Sequence, residues 1–135
     1  VIAMKRESLD TNVILRLTLR DIPSQFETAK KLVTSKRVRF FVSDITLFEY
    51  VYILEGHYEF SRKQIAEMVE KLLAQKNIDC NRELAVAALA HFVAHHSLSY
   101  ADCYLAASAR YMNAAPLWTF DKSLAKKLPD VKSLN

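Results

Sequence analysis

An α/β domain with a mostly parallel sheet is the fold class the sequence predicts, and three observations predict it. Short apolar runs of strand length, such as "VRFFV" at 38–42 and "APLWTF" at 115–120, alternate with longer segments whose apolar residues recur at helical spacing. Most successive strand candidates are separated by two helix candidates, ample length for the right-handed crossovers that parallel pairing needs. No internal repeat, low-complexity tract or Pro/Ser-rich linker divides the 135 residues, a length that fits one domain able to bury roughly two-thirds of its unfolded surface. The expected organisation is a single domain over 1–135, residues 1–3 lying upstream of its first element.

Taken in order, a short strand is expected to end near Leu9, followed by a helix through "NVILRLTLR". Asp21 and Pro23 signal the start of a second helix, with Phe26, Ala29, Leu32 and Val33 at helical spacing. After the strand "VRFFV", Ser43 is an N-cap candidate for a helix carrying "TLFEYVYIL". In "SRKQIAEMVEKLLAQ", Ser61 and Gln64 are placed as a capping box, and Ile65, Met68, Val69, Leu72 and Leu73 form a buried stripe. "NIDC" reads as a third strand and Asn81 as a cap for a helix reaching His96. A further helix runs from about Ser99 to Asn113, "APLWTF" is a fourth strand, and "KSLAKKL" is a short final helix.

Composition bounds the function. A single glycine, Gly56, excludes both a phosphate-cradling P-loop and a GxGxxG dinucleotide turn. The net charge of +4 and pI near 9.1 are compatible with a polyanionic partner. Basic clusters at Lys30 and Lys31, "SKRVR" at 35–39, "SRK" at 61–63 and "DKSLAKK" at 121–127 add to this, although solvated helix faces would explain them equally well. Cys80 and Cys103 lack the paired spacing of zinc sites or disulfide frameworks, so free thiols in a reducing compartment are expected. No apolar stretch approaches the roughly 20 residues of a membrane span, and "VIAMKRES" lacks the ordered regions of a signal peptide. A cytoplasmic protein is the expectation.

Four acids stand in places where polar surface does not account for them. Asp10 lies just past the first strand and Asp121 just past "LWTF", at the end of a parallel sheet where ligands usually bind. Glu49 has Ile45 one turn before it and Tyr52 and Ile53 one turn after, which predicts the packed side of its helix. Asp102, with Leu98 behind and Leu105 and Ala106 ahead, is expected to lie similarly. Were the four to converge, their mutual repulsion would call for divalent cations, and oxygen-only ligands suit hard ions such as Mg²⁺ or Mn²⁺. Such a site can align a water and neutralise charge on a phosphodiester. The alternative for each acid is structural: pairing with a buried arginine, or capping of the next helix at Asp10 and Asp121.

These residues and their surroundings resemble the PIN-domain ribonucleases, and most closely the VapC toxins of bacterial toxin-antitoxin modules. The segments that carry the likeness are "LDTNVILRL", "VSDITLFEYVYIL", "YADCYLAASAR" and "PLWTFDKSLAKKLPDV", which together cover essentially the whole chain. The resemblance implies a three-layer α/β/α domain with four to five short strands. It also implies an acidic quartet of Asp10, Glu49, Asp102 and Asp121 binding one or two Mg²⁺ or Mn²⁺ ions. Asn12 and Thr119 match polar residues lining the family's site, and Asp44 would be an acid just outside the ligand set. The implied activity is endonucleolytic cleavage of RNA, often tRNA or rRNA, by a homodimer silenced by a cognate antitoxin. The chain departs from the family in two places: "KRES" before Leu9 is polar where an apolar strand is usual, and Ser99 stands where some members carry a further acid. A PIN-like module that binds RNA or protein without cutting is the alternative from another class, and a DNA nuclease would share the metal chemistry.

Other motifs carry less. His91 and His95 have the spacing of two zinc ligands on one helix, but no adjacent glutamate completes an HExxH base, and ordinary helix packing explains them. Serine-nucleophile chemistry lacks its GxSxG elbow. Tyr50, Tyr52, Tyr58, Tyr100 and Tyr104 are expected in the core or at a dimer interface rather than as base-stacking platforms.

Overall fold

In the computed structural model, which describes residues 5–135, five short strands and seven helices alternate, and every strand pairing is parallel. Backbone contacts gather the chain into two compact units, the first ending at Asn81 and the second running from Arg82 to Asn135.

The first unit holds β1 (Lys5–Ser8), α1 (Thr11–Leu19), α2 (Pro23–Val33), β2 (Val38–Phe41), α3 (Asp44–Gly56), α4 (Arg62–Leu73) and β3 (Ile78–Asp79). Its sheet has the order β1-β2-β3, with Lys5 opposite Val38 and Phe40 opposite Ile78. The polar "KRES" segment is a strand after all, because its ladder is supplied by β2 while its own side chains stay mostly exposed. Charges cross the sheet there: Asp79 lies 2.7 Å from Arg6 and 3.9 Å from Arg39. Being open to water, these pairs add little stability.

The core of the unit is built by Ile14 and Leu15 of α1, Phe40 and Val42, Leu47, Tyr50, Val51 and Leu54 of α3, and Ile65, Val69 and Leu73 of α4. The capping box at Ser61 and Gln64 forms, with both reciprocal bonds present. Ser43 caps α3 by accepting from the Thr46 amide. The buried Arg62 pairs with Glu55 at 2.7 Å, and the Tyr50 and Thr18 hydroxyls share a hydrogen bond of 2.7 Å that ties α3 to α1. Burial pushes the Tyr50 phenol up to about 12, against a smaller opposite pull from Thr18.

The second unit holds α5 (Arg82–Ala94), α6 (Tyr100–Tyr111), β4 (Leu117–Thr119), α7 (Lys122–Lys127) and β5 (Val131–Ser133). Helices α5 and α6 form its core through Ala85, Ala88, Leu89, Phe92, Tyr100, Cys103 and Tyr104. The Tyr100 hydroxyl donates to the Ala85 carbonyl at 3.0 Å, and its ring meets Phe92 edge-on. Strands β4 and β5 pair with Trp118 opposite Lys132. Cys80 and Cys103 are free thiols. Among the described residues no helix is long and apolar enough to cross a membrane.

Candidate active site

Asp10 is the N-cap residue of α1, immediately past β1. Its carbonyl accepts from the Val13 amide, but its side chain makes no capping hydrogen bond and, among the described residues, pairs with no cation. The backbone there is fixed by other means: the Leu9 amide donates to the Phe41 carbonyl at 3.0 Å, and Leu9, Thr11, Ile14 and Leu15 are buried. A solvent-facing carboxylate is thus held at the end of a strand with no structural work assigned to it. Asn12, the second residue of α1, is exposed as well.

Glu49 corrects the sequence reading. It lies on the open side of α3, not the packed side, with its presumed stripe partners Ile45 and Tyr52 75% and 77% exposed. The reason is that "TLFEYVYIL" is apolar almost all round, so hydrophobic periodicity cannot say which face is inward. The structure chooses Leu47, Tyr50, Val51 and Leu54, and Glu49 is two positions from Leu47, roughly 200° round the helix. The buried-arginine explanation does not apply to it either, since Arg62 is taken by Glu55. Nearby, the Asn81 side-chain amide donates to both carboxylate oxygens of Asp44 at 3.3 and 3.5 Å. Asn81 was expected only as a helix cap, and its reach to Asp44, 37 residues earlier, leaves no local trace in sequence.

In the second unit, Asp102 sits in the first turn of α6, half-buried between exposed Ala101 and buried Cys103. Ser99 caps that helix by accepting from the Asp102 amide at 3.1 Å, which gives this serine a structural role at the place where an acid was the alternative. Asp121 is the N-cap of α7: its Oδ1 accepts from the Leu124 amide at 3.1 Å, and its own amide donates to Thr119 Oγ1 at 2.9 Å. The capping role weighed for Asp10 and Asp121 is therefore filled at Asp121 alone. Thr119, half-buried, orients the residue that carries the acid.

Within neither unit, among the described residues, do three or more His, Cys, Asp or Glu side chains gather as a metal-holding group. The quartet is divided two and two, Asp10 and Glu49 in the first unit and Asp102 and Asp121 in the second. All four offer oxygen donors and none is neutralised by a described salt bridge, a donor set that fits a hard dication. The His91 and His95 rings stack 6.5 Å apart on α5. A cavity of about 640 Å³ in the first unit, walled by Leu17, Phe26, Val33, Met68 and Leu72, is lined by none of the four acids.

A family model for the PIN domain matches residues 8–128, from the end of β1 to just past α7. The chain belongs to the PIN-domain family. PIN domains are typically nucleases and typically use divalent metals. The parallel strands and their alternation with helices are those of a PIN fold. The four acids all fall within the matched PIN segment. No curated protein matches the chain.

Proposed function

We propose that this PIN domain is a metal-dependent endoribonuclease acting as the toxin of a toxin-antitoxin pair, with Asp10, Glu49, Asp102 and Asp121 as the ligands of Mg²⁺ or Mn²⁺. The observation that carries the reading is the Asp10 carboxylate, fixed past a strand end with neither cap nor ion pair to explain it. When bound, the dication would supply a water of lowered pKa and neutralise charge building on the scissile phosphate. The residues of the chain do the rest. Asp10 and Asp121 present carboxylates from backbone held by strand pairing and helix starts, so little order has to be gained on binding. Glu49 and Asp102 add negative oxygens from the sides of α3 and α6.

Asn12 and Thr119 orient an acid or the attacking water, and Asp44, held by Asn81, tunes the site from outside the ligand set. Lysines and arginines, which give the chain its charge of +4, draw the RNA backbone toward the acids. In this reading a single domain works as a homodimer in the cytoplasm on a tRNA or rRNA target, and a cognate antitoxin silences it. The test is cleavage of RNA by the intact chain in Mg²⁺ or Mn²⁺ and in EDTA, beside growth arrest on expression of the intact and Asp10→Asn chains. Metal-dependent cleavage and arrest lost in Asp10→Asn are expected. Undiminished turnover by clean Asp121→Asn protein in EDTA overturns the mechanism, and RNA binding without cleavage favours a non-cutting module.

A further inference from the structure

Two of the large apolar side chains that the structure leaves in water stand just before Asp121. Trp118 is 56% exposed and Phe120 is 72% exposed. They are separated only by the half-buried Thr119, so they continue the period-two alternation of β4 on its open side. Their backbone is held: the Leu134 amide donates to the Thr119 carbonyl and the Asn135 side chain to the Phe120 carbonyl, both at 2.9 Å. Lys132 is the register partner of Trp118 on β5, so both lie on the same side of the two-stranded ladder. Lys122 follows Asp121. Both lysines are exposed, and neither side chain has a described ion pair or hydrogen bond.

Leaving an indole and a phenyl ring in water forgoes roughly 25 cal/mol for each Å² that burial would remove. Core packing does not explain them, and on a strand edge they are an aggregation hazard unless something covers them. Paired aromatics on a sheet, interleaved with unpaired cations, are the arrangement on which unstacked bases lie while the backbone is neutralised alongside.

We infer that Trp118 and Phe120 form a stacking platform for unpaired nucleobases, with Lys122 and Lys132 neutralising the adjoining phosphates, so that single-stranded RNA is delivered to Asp121. The inference rests on the nuclease reading for the nature of the substrate, but it is tested without catalysis. Because Trp118 is the one tryptophan of the chain, its emission reports directly on what lies against it.

The experiment titrates the full chain in EDTA with a short oligouridylate and, separately, with an RNA duplex. Saturable quenching of Trp118 by oligouridylate and little by duplex is expected. Phe120→Ala should weaken oligouridylate binding about 5- to 150-fold, the loss of one stacked base. Trp118→Phe should restore binding that Trp118→Ala loses, measured by polarisation of end-labelled RNA. Oligouridylate binding that leaves Trp118 emission unchanged and is equally tight in Trp118→Ala overturns the platform, and if metal-dependent cleavage persists, the nuclease reading stands without it. An emission shift in the intact chain that follows protein concentration alone, together with a dimer that sedimentation shows Trp118→Ala to lose, also overturns it by making a second copy the occupant. Quenching by oligouridylate in a chain that never cleaves RNA supports the platform and removes the nuclease reading.

Discussion

At Leu9-Asp10-Thr11 and at Phe120-Asp121-Lys122 a short parallel strand gives way to a helix, and in both the aspartate is the N-cap residue. At the second junction the carboxylate accepts the Leu124 amide, so the fold accounts for the residue with no appeal to chemistry. At the first it accepts nothing, and the helix start is held by the buried Thr11, Ile14 and Leu15 instead. Two identical residues in equivalent places therefore do different things for the fold. An aspartate after a strand is ambiguous until the donors that reach its carboxylate are known.

The largest effect that would test this comparison is on activity. Asp10→Asn and Asp121→Asn should both reduce metal-dependent RNA cleavage to background in single-turnover assays, since asparagine can keep the cap at 121 but not the charge. Full activity in Asp121→Asn would split the junctions, leaving Asp121 a cap and Asp10 the functional acid.

Next is the anchoring of the first junction. The Tyr50 phenol is raised to about 12 by burial, above its ordinary 10, so the folded state holds this proton more tightly than the unfolded chain. Its contribution is fully present below about pH 10 and is lost as pH rises through about 12, a change of roughly 3 kcal/mol. Urea midpoints measured across that range should fall more steeply for the intact chain than for Tyr50→Phe. Parallel curves would show that the Tyr50 phenol is not held out of water where α3 packs against α1.

A smaller effect comes from metal. Mg²⁺ or Mn²⁺ at ten times its dissociation constant should stabilise the intact chain by about 1.4 kcal/mol, read as a rise in melting temperature. The rise should vanish in Asp10→Asn. Persistence of the full rise would place the ion elsewhere. Smallest is the cap itself: Asp121→Ala should cost about 1 kcal/mol in metal-free denaturation, whereas Asp10→Ala should stay within about 0.5 kcal/mol of the intact chain. Equal costs would erase the structural difference between the junctions.

Much of the fold was legible from local pattern. The capping box at Ser61 and Gln64, the Ser43 cap and the helix start at Pro23 all lie where short-range rules put them. Element ends moved by a residue or two: α5 stops at Ala94 rather than His96, and "NIDC" contributes only Ile78–Asp79 to a ladder. The acids were less legible. Asp10 and Asp121 were located as strand-end residues, yet Glu49 was assigned to the wrong side of α3, and Asn81's bond to Asp44 was not foreseen. The openness of Trp118 and Phe120 was not foreseen either, because an apolar strand reads the same whether one side is covered or not.

By itself the sequence determined the kinds and order of the elements, the absence of a glycine-built nucleotide loop, and the places of Asp10 and Asp121 just past strand ends. Those follow from spacing and residue type, which act over a few neighbouring positions. Only the tertiary structure decided that Glu49 faces water, that Asp121 caps a helix while Asp10 does not, and that β1 can be polar because β2 supplies its ladder. Each depends on which distant residue arrives at a given face, and a helix apolar on every side holds no record of that choice until something packs against it.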